Sequence, residues 1–224
     1  MRAFSEIYAL ACDHKGGAEC VEQALPKAWS GKQLASQSDA FYLSMMSRRI
    51  FRAGLKHSMV DAKWGDFERV FKGFSPMFCA MQSDEFIEAC MSDRSIIRHM
   101  GKLKSVRANA QFMCDVIEAE GSFGAYLARW SKEQVVELWF ELKSKGAHLG
   151  GTSAAQFLRM VGCDTFLLSS DVIAVLRLEG VIDTVKAPSS KSDLRSIQRA
   201  FNVWHEQSGR DLCEISRVLS FTAL

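Results

Sequence analysis

Proline is nearly missing from this sequence: three in 224 residues, Pro26, Pro76 and Pro188. No β-branched run alternates with polar residues between turn pairs, so nothing argues for a sheet. No apolar stretch approaches the roughly 20 residues of a membrane span. The seven cysteines stand singly and never form CxxC, which excludes a zinc ribbon or an iron–sulfur cluster, both of which need clustered thiolates. Scattered thiols of this kind are expected to be reduced and mostly buried, in a cytoplasmic protein. The first residues, MRAFSEIYALACDHKGG, carry Glu6 within the apolar patch and Asp13 and His14 after it, so no signal peptide is expected. Net charge is only +2, and 48% of residues are hydrophobic, which excludes a disordered chain.

The positive charge is uneven. RRIFRAGLKH (48–57) and RSIIRHMGKLKSVR (94–107) each hold several Lys and Arg and no acid. Such runs are either solvated helix faces or phosphate-binding surfaces. In the second, Arg98 and Lys102 lie four apart and share a face if helical. Phosphate contact is expected of both, although Arg98 and His99 could instead hold helix ends together.

Apolar residues recur at helical spacing, as in Phe67/Val70/Phe71/Phe74 and Val135/Val136/Trp139/Leu142. The pattern predicts an all-α protein with helices near 3–12, 17–24, 39–54, 64–73, 83–91, 94–119, 122–129, 131–145, 152–161, 171–179, 191–208 and 211–221. The long segment 94–119 is expected to break near Gly101 and between 105 and 109. Ser131 followed by Gln134 reads as a capping box opening the helix that runs to about Lys145. The stretch TVKAPSSKS (184–192) reads as a loop. The length suits one large domain or two closely joined lobes.

GAHLGGTSAAQFLRMVG (146–162) interrupts this helical pattern. Gly146 should end one helix, with Lys143 and Lys145 in its last turn. Gly150 and Gly151 lack a Cβ and tolerate positive φ, so the backbone can come close to a ligand. The amides of Gly151, Thr152 and Ser153 would then project from the N-terminus of the next helix, where a phosphate is favoured. Leu149 would turn inward and anchor the bend. The alternative is an ordinary helix connection with a glycine cap. The first reading describes a helix-hairpin-helix, which grips DNA through main-chain amides without reading sequence.

Three blocks carry a family resemblance. AGLKHSMVDAKWGDFERVFKGFSP (53–76) has an AGL triplet and an aromatic helix ending in F-x-x-F-x-P. IIRHMGKLKSVRANA (96–110) has IIRH-x-GK followed by NA. The hairpin is followed, about twenty residues on, by Asp171 at a helix start. Together they resemble the DNA-3-methyladenine glycosylase I family of the helix-hairpin-helix DNA glycosylases, over roughly 40–118 and 146–172.

The resemblance implies two helical lobes with the active-site cleft between them: one of about 1–35 plus 125–224, the other of about 36–124, with the hairpin at 131–162. It implies an N-glycosyl hydrolase of DNA repair that flips an alkylated purine of the 3-methyladenine type out of damaged double-stranded DNA. Asp171 would stabilise the sugar cation and orient water, although an N-cap role would also suit an Asp there. Arg49, Phe51, His57 and Trp64 would line the base pocket, and Gly150, Gly151, Thr152, Ser153, Arg98 and Lys102 would bind phosphates. For Phe51 and Trp64, core packing is the competing role. The chain is expected to act as a monomer without a cofactor and away from membranes.

The sequence departs from the family pattern in several places. Aligned on AGL, the family's pocket carboxylate falls at Arg49 and its pocket tryptophan at His57. The usual hairpin has proline at Gly150 and glycine at Ser153. Bifunctional relatives carry a Schiff-base lysine at the position of Ala155, and no lysine lies between 146 and 171, so a monofunctional enzyme leaving an abasic site is expected. Typical members hold zinc. Here only Cys12 approaches a ligand position, so no metal is expected. A lapsed relative that binds DNA without excision is the alternative, and a helical protein-interaction domain is a third reading.

Overall fold

A computed structural model describes residues 1–183 and 187–223. The described residues form no strand, and the α-helical expectation holds throughout. The helices are α1 Phe4–Lys15, α2 Ala18–Gln23, α3 Gly31–Ala35, α4 Asp39–Arg52, α5 His57–Ala62, α6 Trp64–Val70, α7 Pro76–Ala80, α8 Asp84–Ser92, α9 Met100–Glu120, α10 Phe123–Ala128, α11 Val135–Lys145, α12 Ser153–Met160, α13 Ser170–Leu178, α14 Lys191–Ser208 and α15 Leu212–Phe221. The short α3, α5 and α7 were not foreseen. Each has six residues or fewer, too short for the apolar period to repeat. Of the expected helix 94–119, residues 94–99 are not helical: α9 begins at Met100, beside the break expected near Gly101, and runs unbroken through 105–109. Residues 184–186 of the expected loop lie outside the described residues.

Serine starts many of these helices. Ser30, Ser38, Ser83, Ser122, Ser169 and Ser190 each accept a backbone N–H from the first turn. Ser131 departs from this pattern, and the predicted capping box does not form. Its hydroxyl goes to Glu133, and a 3-10 turn, Lys132–Gln134, precedes α11.

The chain divides into two compact units. One comprises Met1–Trp29, Trp130–Trp139 and Gly162–Leu224, the other Ser30–Arg129 and Phe140–Val161. Contacts thus group 140–161, with α12 and the bend before it, with the unit that starts at Ser30.

In the first unit, α15 packs on α1, α13 and α14. Phe166 stacks on Phe201 at 4.2 Å, Trp139 meets Phe166 edge-on at 4.8 Å, and Trp204 is fully buried. The buried Trp139 indole donates to Thr165 Oγ1 at 3.1 Å, so its one polar atom is satisfied.

In the second unit α9 packs on α4, α7, α8 and α10, and α12 lies on α4. The AGL-to-proline block becomes an aromatic core. Trp64 stacks on Phe74 at 5.4 Å, Phe51 lies 4.5 Å from Phe67, and Phe71 stacks on Phe74 at 5.5 Å. Between α6 and α7 the chain passes through positive φ at Lys72, Gly73 and Phe74. The fully buried Phe74 ring anchors that turn, and Pro76 opens α7 at a position that needs no N–H. Thus the F-x-x-F-x-P spacing is a packing device.

Candidate functional site

The bend between α11 and α12 is built from behind. α11 ends at Lys145, with Lys143 and Lys145 in its last turn, as expected. A Cβ on Gly146 would lie 2.5 Å from Leu149 Cδ1 and 2.8 Å from Leu142 O, so close approach, not positive φ, requires glycine there. Leu149 is buried and pins the bend to the core. Asn109, fully buried on α9, accepts from the Ala147 N–H at 2.7 Å and donates to the Ala147 carbonyl at 3.1 Å. This is the asparagine of the NA pair, whose role the sequence alone does not show.

The front of the bend is open. Gly150, Gly151 and Thr152 are exposed. Of the two glycines only Gly151 has positive φ, +59°, and nothing lies within 4 Å of where its Cβ would be. Ser153 is the exception among the four phosphate contacts expected at the bend. Its amide is taken by the Gly150 carbonyl at 3.1 Å, which closes the turn. Lys143, not foreseen, lies over the bend, with Cε 3.9 Å from the Cβ position of Gly150. It is exposed and carries no ion pair among the described residues.

The two basic runs are less available than their sequence suggests. Asp61 supplies the missing acid: it accepts from Arg48 Nε at 2.9 Å and from Arg52 Nη2 at 2.7 Å. Arg107 pairs with Asp84 at 2.6 Å. Lys102 does not present itself to a phosphate. It is buried, and its ammonium donates to the carbonyls of Phe51 at 3.2 Å and Ala53 at 2.6 Å, capping the end of α4. Burial, then the nearby Arg49, lower its pKa. His99 takes the structural role considered for it, accepting the Lys102 N–H at the start of α9. Arg98 is exposed and has no ion pair among the described residues.

Of the expected base-pocket residues, Phe51 is fully buried in the aromatic core and Trp64 nearly so. The Trp64 indole donates to Ser44 Oγ at 3.0 Å. Their packing role is therefore evident. His57 is exposed in the first turn of α5. Arg49 is 7% exposed, and its Nε is sealed with no acceptor. Burial, then the charge on Arg52, lower its pKa.

In the other unit, Asp171 lies in the first turn of α13 and is exposed. The N-cap is Ser169, which accepts the Val172 N–H at 3.3 Å. The capping role considered for Asp171 is thus already filled, and its carboxylate accepts from the Ser170 hydroxyl at 3.2 Å. Asp164 was not singled out from sequence. It accepts the Leu212 and Cys213 amides at 3.0 and 2.8 Å, tying its loop to the start of α15. Burial raises its pKa despite those bonds.

Zinc would need three or more converging donors, and the described residues contain no such group of His, Cys, Asp or Glu. The residues present therefore do not fit that ion. The seven cysteines are free, and burial first, then Asp164, pushes the Cys163 thiol up to about 12. No described helix is long and apolar enough to cross a membrane.

The methyladenine glycosylase family model matches residues 25–155, more than half of the chain. The chain belongs to the methyladenine glycosylase family. The match covers the arginine run, the aromatic block, all of α9 and the bend itself. Among solved structures, 3-methyladenine DNA glycosylase I from Staphylococcus aureus is similar at 23% identity and a TM-score of 0.51, over 56% of this chain and 77% of that one. An 8-oxoguanine DNA glycosylase from Methanocaldococcus jannaschii is similar at 16% identity and a TM-score of 0.55, over 95% of this chain and 89% of that one. These likenesses establish the all-α glycosylase fold. No curated protein matches the chain. Family membership makes this protein a glycosylase, and the N-glycosyl hydrolase expectation holds at that level.

Proposed function

We propose that this methyladenine glycosylase family member is a monofunctional DNA repair enzyme. It flips an alkylated purine out of damaged duplex DNA and hydrolyses its N-glycosidic bond. The 3-methyladenine named for its structural relatives belongs to that class of base. The observation that carries the reading is the bend at 147–152, clamped behind by Asn109 and Leu149 and exposed in front at Gly150–Thr152. Such a bend suits a sugar–phosphate strand because its amides and the α12 N-terminus attract an anion that no side chain need read. Lys143 and Arg98 add charge for phosphates.

Cleavage builds positive charge on the sugar. Asp171 is the proposed carboxylate for that charge and for the attacking water. It is exposed, and Ser169 relieves it of capping. Ala155 takes the place of the Schiff-base lysine, so the product is an abasic site in an uncut strand. A cytoplasmic monomer acting without a cofactor completes the proposal.

The test is to incubate purified protein with methylated duplex DNA, chromatograph the released bases, and run the DNA with and without alkaline cleavage. Released purine, with strand breaks only after alkali, supports the proposal. Breaks without alkali contradict the monofunctional step. The buried cation at Arg49 favours a second reading, a lapsed relative that binds DNA and releases nothing.

A further inference from the structure

The three arginines of Arg48–Arg52 do not share one fate. Asp61 takes Arg48 at 2.9 Å and Arg52 at 2.7 Å. Arg49 enters no ion pair among the described residues, is 7% exposed, and keeps its Nε buried without an acceptor. The charge that acts on it is that of another cation, Arg52, and its own charge acts on Lys102 of α9, whose ammonium is already spent on two carbonyls. Among the described residues neither Arg49 nor Lys102 is paired with a carboxylate. An unpaired charge in such surroundings is among the costliest groups a fold can keep. An apolar side chain of similar length would pack there at less cost, so folding gives no reason for the guanidinium. Its free donors call for an acceptor that arrives from outside.

Resting on the glycosylase reading above, we propose that Arg49 selects alkylated purines that are electrically neutral and present an acceptor edge, and that it carries the charge such a base acquires on leaving. A purine alkylated on N3 or N7 while still joined to the sugar is a cation, and Arg49 and Lys102 repel it. A purine alkylated on an exocyclic oxygen, or bridged across its amine, is neutral and presents ring nitrogens to a planar fork of donors.

The chemistry follows the same division. When the bond from C1′ to the purine nitrogen breaks, both electrons go to the base. A cationic base leaves neutral and needs no help. A neutral base leaves as an anion, and hydrogen bonds from Arg49 stabilise it in the transition state. The sugar, now cationic, gains the oxygen of a water molecule at C1′. That water releases one proton to solvent, and the purine anion takes up a proton from solvent after release.

The experiment uses the wild-type full chain under single-turnover conditions with three duplexes. Each carries one lesion: O6-methylguanine, 1,N6-ethenoadenine or 3-methyladenine. The expected result is release of at least one neutral base about tenfold or more faster than 3-methyladenine. Arg49→Gln should then slow release of the neutral base on the order of a hundredfold, with helical content and duplex binding retained. Faster release of 3-methyladenine overturns the proposal, as does an Arg49→Gln protein that is folded and unimpaired on the neutral base. If that variant does not fold, the wild-type rate ratio decides. No release from any duplex overturns the glycosylase reading itself, and this inference with it.

Discussion

Asn109 holds Ala147 from both sides of one residue: Oδ1 accepts its N–H at 2.7 Å and Nδ2 donates to its carbonyl at 3.1 Å. A single amide side chain thereby satisfies two backbone groups where the chain leaves α11 without helical partners. It also fixes the bend that is proposed to hold DNA, from a helix 38 residues earlier in the chain. Asn109→Ala should therefore cost about 1–3 kcal/mol, because both backbone groups lose their partner. It should also weaken duplex binding. Urea unfolding and a fluorescence titration check the pair. A loss of stability with unchanged DNA affinity would separate the clamp from the function assigned to the bend.

Lys143 should contribute one phosphate contact. Lys143→Ala is expected to lower duplex affinity without changing stability, and to flatten the dependence of log affinity on log salt by about one unit. Titrations at four salt concentrations measure the slope. An unaltered slope would remove Lys143 from the interface.

Asp171 and Ser169 should separate cleanly. Asp171→Asn is expected to abolish most base release while leaving the unfolding midpoint in place, because the cap comes from Ser169. Ser169→Ala should instead lose about 0.5–2 kcal/mol of stability. Single-turnover rates and thermal unfolding of both variants check this. A destabilised Asp171→Asn would return that carboxylate to a structural role.

The Asp61 pair gives a pH signature. Hydrogen bonds from Arg52, then from Arg48, hold its carboxyl below the usual range. A depressed carboxyl contributes in full above its unfolded pKa of about 3.9, and the contribution is lost as pH falls through the folded value. Asp61→Asn should thus be less stable than the wild type by about 1 kcal/mol at neutral pH. The gap should close on acidification below about pH 4. A gap that does not change with pH would mean the pair is not the source.

Much of this was legible in the residues. Helical period located α4, α9, α11, α14 and α15, and the Leu149 anchor followed from the bend. What escaped has physical reasons. The pentapeptide Gly31–Ala35 has no room to repeat a 3.6-residue period. The acid that neutralises Arg48 and Arg52 lies nine and more residues away, past the AGL turn, so a local count of charge missed it. Lys102 and Lys143 are alike in a sequence. Only the fold turns one onto buried carbonyls and leaves the other over the bend. Asn109 was visible as part of a motif, but its partner is distant in the chain.

The central claim is excision of a base by this chain. The most direct measurement is quantitative chromatography of bases released by the purified wild-type protein from duplexes carrying 3-methyladenine, O6-methylguanine or 1,N6-ethenoadenine, beside Asp171→Asn. The account predicts a free alkylated purine and one abasic site per base released, with most of both lost in the variant. A duplex bound tightly but returned with every base in place would contradict it.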